Sequence, residues 1–288
     1  VSSDRIEGVG ASPASPGAEG VSDAVALAVS GEAEVTAAEP VDEPEDDPAE
    51  RAEIRAVLID MGGVILDLGE ARGLPWGELD RRGREALVER IANAGGRVGE
   101  HDLDRWLFDP WRRGYARRRR TGREEPWGPH LARLQRSAGV EVSRGGLLEA
   151  WVRPYLAEIR VLPGAQEALS RLVTADLSLA LVSNVPMPGS FYRRVLERQG
   201  LAPFFRRLLF SYDQGSRKPG PMMLQRALSS MGIDPDGAVM VGDRRSTDIA
   251  AGRAAGLRTV WVDSPDVDGP EPDRVIASLA ELPELLGV

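Results

Sequence analysis

The chain has 288 residues, 42% of them hydrophobic, no cysteine and a formal net charge of −9. That is enough chain for one large domain or a core domain with an insert, and the lack of cysteine excludes disulfides, thiolate nucleophiles and thiolate metal sites. The charge is uneven: residues 1–50 hold 13 Asp or Glu against one Arg, whereas the rest carries 32 acids against 35 Lys or Arg, so the folding part is near neutral and lacks the basic footprint of a nucleic-acid binder.

Residues 1–50 are rich in Gly, Ala, Ser, Pro, Glu and Asp and close with Glu43-Pro44-Glu45-Asp46-Asp47-Pro48. Such a segment cannot bury enough apolar surface to offset its ordering entropy, so a disordered, self-repelling tail is predicted. No membrane span or signal segment is expected, because the apolar runs are strand-sized and residues 24–29 lack a basic flank. A cytoplasmic setting fits.

Ala56, Val57, Leu58 and Ile59 form a short apolar run that reads as a buried parallel strand, ending on Asp60 and followed by Gly62-Gly63. Residues 69–155 then change character, with many Arg, Glu, Leu and Trp and helical spacing at Leu79, Leu87, Ile91, Leu131 and Leu134. About four helices are predicted there, broken at Gly95-Gly96, Gly122 and Gly139. Strand and helix alternation resumes at Leu162-Pro163-Gly164. Strands are expected over 177–182, 208–210, 238–241 and 259–262, the last taken as the final core strand. Helices are expected through Ala168, Leu169 and Leu172, over 191–199, through Met223, Leu224, Ala227 and Leu228, and through Ile249, Ala250 and Ala254. Short loops between alternating elements imply a doubly wound parallel sheet with helices on both faces.

Polar groups recur at the predicted strand ends: Asp60, Ser183 with Asn184, Lys218 before its helix, and Asp243 with Asp248. The strand tips of one parallel sheet converge on one edge, so these groups can meet. Carboxylates without His or Cys make an oxygen site suited to Mg²⁺, while a Ser hydroxyl, backbone amides and an ammonium are phosphate ligands.

Asp60-Met61-Gly62-Gly63-Val64, Leu181-Val182-Ser183-Asn184, Arg217-Lys218-Pro219 and Val241-Gly242-Asp243 with Asp248, taken in order, resemble the four motifs of the haloacid dehalogenase superfamily. The resemblance implies a Rossmann-like core over 51–68 and 156–288, and an inserted all-helical cap over 69–155. It implies Asp60 as a nucleophile that becomes an aspartyl-phosphate, and Mg²⁺ held by Asp60, the Gly62 carbonyl, Asp243 and Asp248. Ser183 and the Asn184 amide would bind the phosphoryl oxygens, and Lys218 would balance their charge and that of Asp60. The expected substrate is a small phosphorylated metabolite, with neither a membrane nor nucleic acid as partner.

One position departs from the pattern. Phosphatases of this superfamily commonly carry a second Asp two residues after the nucleophile as general acid and base, and here that position is Gly62. Losing such a group costs about 10² to 10⁴ in rate. A substrate with an easy leaving group, such as a sugar 1-phosphate or an acyl phosphate, needs less protonation. Alternatively His101 or His130 supplies the proton from the cap, or the chain is a degenerate member that only binds. Dehalogenation is disfavoured by the pair Asp243 and Asp248. A carbon–phosphorus hydrolase would want a cap amine, and residues 69–155 contain no Lys. The Arg-rich run 112–123 reads first as a solvated helix face and second as an anion-steering surface. Trp106, Trp111, Trp127 and Trp151 read as cap core before substrate platform.

Overall fold

The computed structural model describes residues 53–69 and 72–288, with only the backbone of residues 115, 116 and 119. The acidic tail read over residues 1–50 lies outside the described residues. The first strand, β1 (Ala56–Ile59), is wholly buried. After a tight turn comes β2 (Leu66–Asp67). Then follow the helices of the insert: α1 (Trp76–Ala92), α2 (Glu100–Leu103), which continues through a π-helical turn at Asp104–Phe108 into α3 (Asp109–Thr121), α4 (Gly128–Ala138) and α5 (Arg144–Glu158). The short strand β3 (Arg160–Val161) pairs antiparallel with β2, so the chain enters and leaves the insert side by side.

The remainder alternates: α6 (Ala165–Thr174), β4 (Ser178–Ser183), α7 (Gly189–Arg198), β5 (Arg207–Phe210), α8 (Ser211–Gln214), α9 (Met222–Met231), β6 (Ala238–Gly242), α10 (Ala250–Ala254), β7 (Arg258–Val262), β8 (Arg274–Ile276) and α11 (Leu282–Leu285). The parallel six-stranded sheet has the order β5-β4-β1-β6-β7-β8. The strand order reverses between β1 and β6, and the crevice beyond their tips is the switch point where open α/β sheets bind ligands.

Alternation along β1 divides the core. Val57 and Ile59 face one side with Leu169, Leu172, Val195 and Leu196, whereas Ala56 and Leu58 face the other with Met223, Leu224, Ala227 and Ala251. A strand buried on both faces reads as an unbroken apolar run, which is why β1 is legible in sequence. β8 was missed. Only Ile276 of its three residues is buried, as suits an edge strand, and it is tied to β7 by Asp273, whose carboxylate accepts from the backbone and hydroxyl of Thr259 at 2.7 Å each.

The insert is closed on itself by polar as well as apolar burial. Asp80 on α1 accepts from Arg84 Nε at 2.6 Å, and from the Trp151 indole and the Tyr155 hydroxyl of α5 at 3.3 and 3.1 Å. Burial and then the Asp80 charge push the Tyr155 phenol far above its ordinary pKa. Trp111, Trp127 and Trp151 are buried and packed ring to ring, with Trp111 stacked on Trp127 at 4.8 Å, so these three form core; Trp106 is half-buried under Arg105. The Arg-rich run splits. Arg113, Arg117, Arg120 and Arg123 are exposed, as a solvated face requires, but Arg118 turns inward with 2% exposure. Truncating a central strand residue should be costly: Leu58→Ala is expected to lower unfolding stability by about 2–5 kcal/mol, read from the urea midpoint at unchanged slope.

Candidate active site

Asp60 is one residue past β1, and its N–H still donates to the Val241 carbonyl of β6 at 2.9 Å. The pairing of β1 with β6 therefore runs up to the carboxylate and sets it against the tip of β6, where Asp243 follows Gly242. Residues 61–66 then fold back, with Ile65 and Leu66 both donating to the Met61 carbonyl. Gly63 has φ +74°, and a Cβ there would overlap the Asp243 carboxylate, so only glycine lets the turn and the acid share this space.

Asp60, Asp243 and Asp248 each offer an oxygen to one group whose atoms lie within 4.8 Å of one another. Asp248 reaches it from a π-helical turn, Arg245–Ile249, that opens the helix continuing into α10. Its Oδ2 accepts the Arg244 N–H at 3.0 Å. Into this group comes Lys218, 1% exposed. Its Nζ lies 2.7 Å from Asp60 Oδ1, 2.6 Å from Asp248 Oδ1 and 2.7 Å from the Val182 carbonyl. An ammonium has three N–H donors, and all three are used. Lys218 is also the only lysine in the sequence, beside 35 arginines. A planar guanidinium cannot replace a compact ammonium among three converging oxygens.

The electrostatics follow from this burial. Desolvation alone would push the Lys218 ammonium down, but the charges of Asp248 and Asp60 more than offset it and hold its pKa above the ordinary lysine value. Asp243 is pushed well above the usual carboxylate range by burial, then by the like charges of Asp248 and Asp60. Asp248 is raised too, again chiefly by burial, with Lys218 acting in the opposite direction. Asp243 Oδ1 is buried with no hydrogen-bond partner.

Ser183 ends β4 one residue after the carbonyl that Lys218 holds. The Asn184 side chain is occupied: its amide donates to the Lys218 carbonyl and its Oδ1 accepts the Lys218 N–H, both at 2.9 Å. This mutual clamp was not legible from a Ser-Asn pair and a distant Lys-Pro pair. Gly62 lies in the turn, bridged to Leu66, and Leu68 Cδ1 stands 2.8 Å from where a Cβ on Gly62 would be. His101 is exposed on α2. His130 on α4 is lowered in pKa by burial and then by Arg133, which leaves it a poor proton donor near neutral pH.

With this geometry in hand, the likeness to known proteins is informative. A sequence profile of the haloacid dehalogenase-like hydrolases matches residues 54–256. This chain belongs to that family. The hydrolase is 30% identical over 251 residues to phosphoserine phosphatase of Thermus thermophilus, covering 80% of this chain and 98% of that one. It is 27% identical over 253 residues to ribulose-1,5-bisphosphate 5-phosphatase of Halopiger xanaduensis, with 80% and 98% covered. Among solved structures, a 2-haloacid dehalogenase of Pseudomonas syringae superposes with a TM-score of 0.57 at 24% identity, covering 81% of this chain and 98% of that one. A HAD phosphatase of Thermococcus onnurineus gives 0.53 at 23%, also with 81% and 98% covered. These two show the shared fold. With phosphatases as its sequence relatives, this hydrolase stands in the phosphatase-like branch of the family.

The raised carboxyl gives a test of the electrostatics. A group whose folded pKa is raised destabilises the folded state as pH rises through that pKa, and ceases to do so once it is protonated. In chelator, Asp243→Asn is therefore expected to melt above the unsubstituted protein at neutral pH. The difference should vanish as pH falls through the carboxylate range, followed by thermal denaturation across pH.

Proposed function

We propose that this hydrolase cleaves phosphate monoesters of small metabolites in a Mg²⁺-dependent reaction that passes through an aspartyl-phosphate on Asp60. The observation that carries this reading is the single ammonium saturated by Asp60, Asp248 and a carbonyl, with Asp243 completing a group of three carboxylates at the switch point. The residues suit Mg²⁺: the donors are all oxygen, and Asp243 brings a buried oxygen with no other partner and a charge that a cation would relieve. Asp60, the Gly62 carbonyl and Asp243 would hold the ion, with Asp248 acting directly or through water. When bound, Mg²⁺ neutralises charge so that two anions can approach.

The chain's own groups divide the remaining work. Asp60 attacks phosphorus, forming an O–P bond as the ester bond breaks, and water later hydrolyses the acyl phosphate. Lys218 balances the Asp60 charge and faces the phosphoryl oxygens, which the Ser183 hydroxyl and the Asn184 backbone amide bind. The insert over 69–155 acts as a cap on a core of 51–68 and 156–288, excluding water and choosing the substrate. The phosphatase relatives support a small phosphorylated metabolite, and the cysteine-free composition supports a cytoplasmic setting; among the described residues no helix is long and apolar enough to cross a membrane.

Beside Gly62, the Leu68 side chain fills the place where the side chain of a leaving-group acid would begin. This favours substrates with good leaving groups, such as sugar 1-phosphates or acyl phosphates. A carbon–phosphorus hydrolase working through a lysine imine has no amine to use in this sequence, because Lys218 is the only lysine and its donors are committed.

A panel of phosphate esters, sugar 1-phosphates and acyl phosphates tests the proposal. Turnover is expected with Mg²⁺, is abolished by EDTA and falls by about 10³-fold or more in Asp60→Asn. Absence of any difference between the protein and Asp60→Asn would leave a binding role instead. Adding the acid should help most where the leaving group is poor: Gly62→Asp with Leu68→Ala is expected to raise alkyl-ester hydrolysis by about 10²-fold while changing acyl-phosphate hydrolysis little.

A further inference from the structure

The insert meets the core at a second place, apart from the paired strands β2 and β3. Gly122 closes α3 with φ 63°, and the residues after it run antiparallel to 215–217. Arg217 N–H donates to the Gly122 carbonyl at 3.0 Å, and Arg123 stands opposite Ser216. Trp127 is fully buried and donates from its backbone to the Tyr212 hydroxyl and from its indole to the Pro186 carbonyl, at 3.1 and 2.8 Å. Between these lies Glu124, whose side chain is 4% exposed. Its Oε1 accepts the Ser211 hydroxyl at 2.7 Å and stands 3.2 Å from the Arg217 guanidinium. Its Oε2 faces Arg118 at 3.9 Å.

Burying a carboxylate carries a desolvation cost that an apolar anchor such as Trp127 does not. What distinguishes Glu124 is the identity of its partners. Arg217 is the neighbour of Lys218 in sequence. The Ser211 hydroxyl also accepts the Val185 N–H at 2.9 Å, two residues after Ser183. One carboxylate from the insert thus fastens both loops that carry Lys218, Ser183 and Asn184. We propose that Glu124 is a positioning residue: when the insert seats on the core, its carboxylate closes between Ser211 and Arg217 and sets Lys218 and the 183–185 loop in their working geometry, and when the insert lifts this fastening is released. Turnover is thereby confined to the seated state. The activity readouts of this proposal rest on the phosphohydrolase reading, whereas its geometric readout does not.

That geometric readout comes from the lysine count. Protein labelled with ¹³Cε-lysine has one side-chain NMR signal, and it reports Lys218 alone, whether or not any ester is turned over. Glu124→Gln keeps the shape and an acceptor for Ser211 but loses the charge toward Arg217. The Lys218 signal is expected to move, with kcat lower by about 10- to 100-fold and KM within about threefold. Glu125→Gln, on the neighbouring carboxylate that pairs with Arg117, should leave signal and kcat unchanged. An unmoved Lys218 signal in folded Glu124→Gln, with a lower thermal midpoint as the only change, overturns the proposal. If the unsubstituted protein turns over no ester, the phosphohydrolase reading falls while the signal still decides the positioning role.

A crosslink tests the release, and it does not depend on Glu124→Gln folding. In a chain without cysteine, Arg123→Cys with Ser216→Cys introduces the only two thiols, opposite one another across the antiparallel contact. The oxidised protein is expected to keep the Lys218 signal of the seated state and lose turnover about tenfold or more, with recovery on reduction. Full turnover when oxidised, or failure of the pair to oxidise, overturns the seating and release.

Discussion

The ammonium of Lys218 is the interaction on which the site depends. It has three donors and meets three oxygens, one on the Asp60 side chain, one on the Asp248 side chain and one on the backbone of β4. Each belongs to a different part of the chain, so a single charge ties β1, β4 and the turn after β6 together at their tips. The Lys218 backbone is clamped in turn by the Asn184 side chain, which prevents the loop from drifting away from β4. In a chain that uses arginine for every other cation, lysine stands at the one place where a compact, three-donor charge is required.

The same neighbourhood keeps three carboxylates close together, with Asp60 and Asp248 buried and Asp243 half-buried. Lys218 answers two of them directly. Asp243 is left with a buried oxygen and a pKa lifted by burial and by its like-charged neighbours. Such an arrangement is strained in electrostatic terms without a further cation, and strain of this kind collects at sites that bind or react. Gly63 is part of the same constraint, since the carboxylate of Asp243 fills the space where a side chain would begin.

The insert is held by two kinds of adhesion. Trp127 buries an indole and satisfies its N–H on Pro186, as apolar anchors with a polar handle do. Glu124 buries a charge and satisfies it on Ser211 and Arg217, which adjoin the loops carrying Ser183 and Lys218. The first kind gives area, and the second links the position of the insert to the position of Lys218. The Asp80 cluster between α1 and α5 plays a comparable part inside the insert, where three donors converge on one carboxylate.

Local pattern determined much of this protein. The apolar run ending on Asp60, the strand ends at Ser183 and Asp243 and the helical spacing of the insert are periodic or punctuated signals within a few residues, and they sufficed for a doubly wound sheet with a helical insert. Lys218 was legible as a candidate only in company, as one of four polar signals that follow one another in order at the predicted strand ends. What only the tertiary structure decided are the pairings between distant segments. β8 has too few buried residues to announce itself and exists because Asp273 reaches Thr259. The side chain of Asn184 serves the Lys218 backbone, 34 residues away. Within an arginine-rich helix, Arg118 is inside while Arg117 and Arg120 are outside, and Glu124 reaches the core while Glu125 pairs with Arg117. Residue type and spacing are the same for each member of these pairs, and only the surface that the folded chain brings against them separates one from the other.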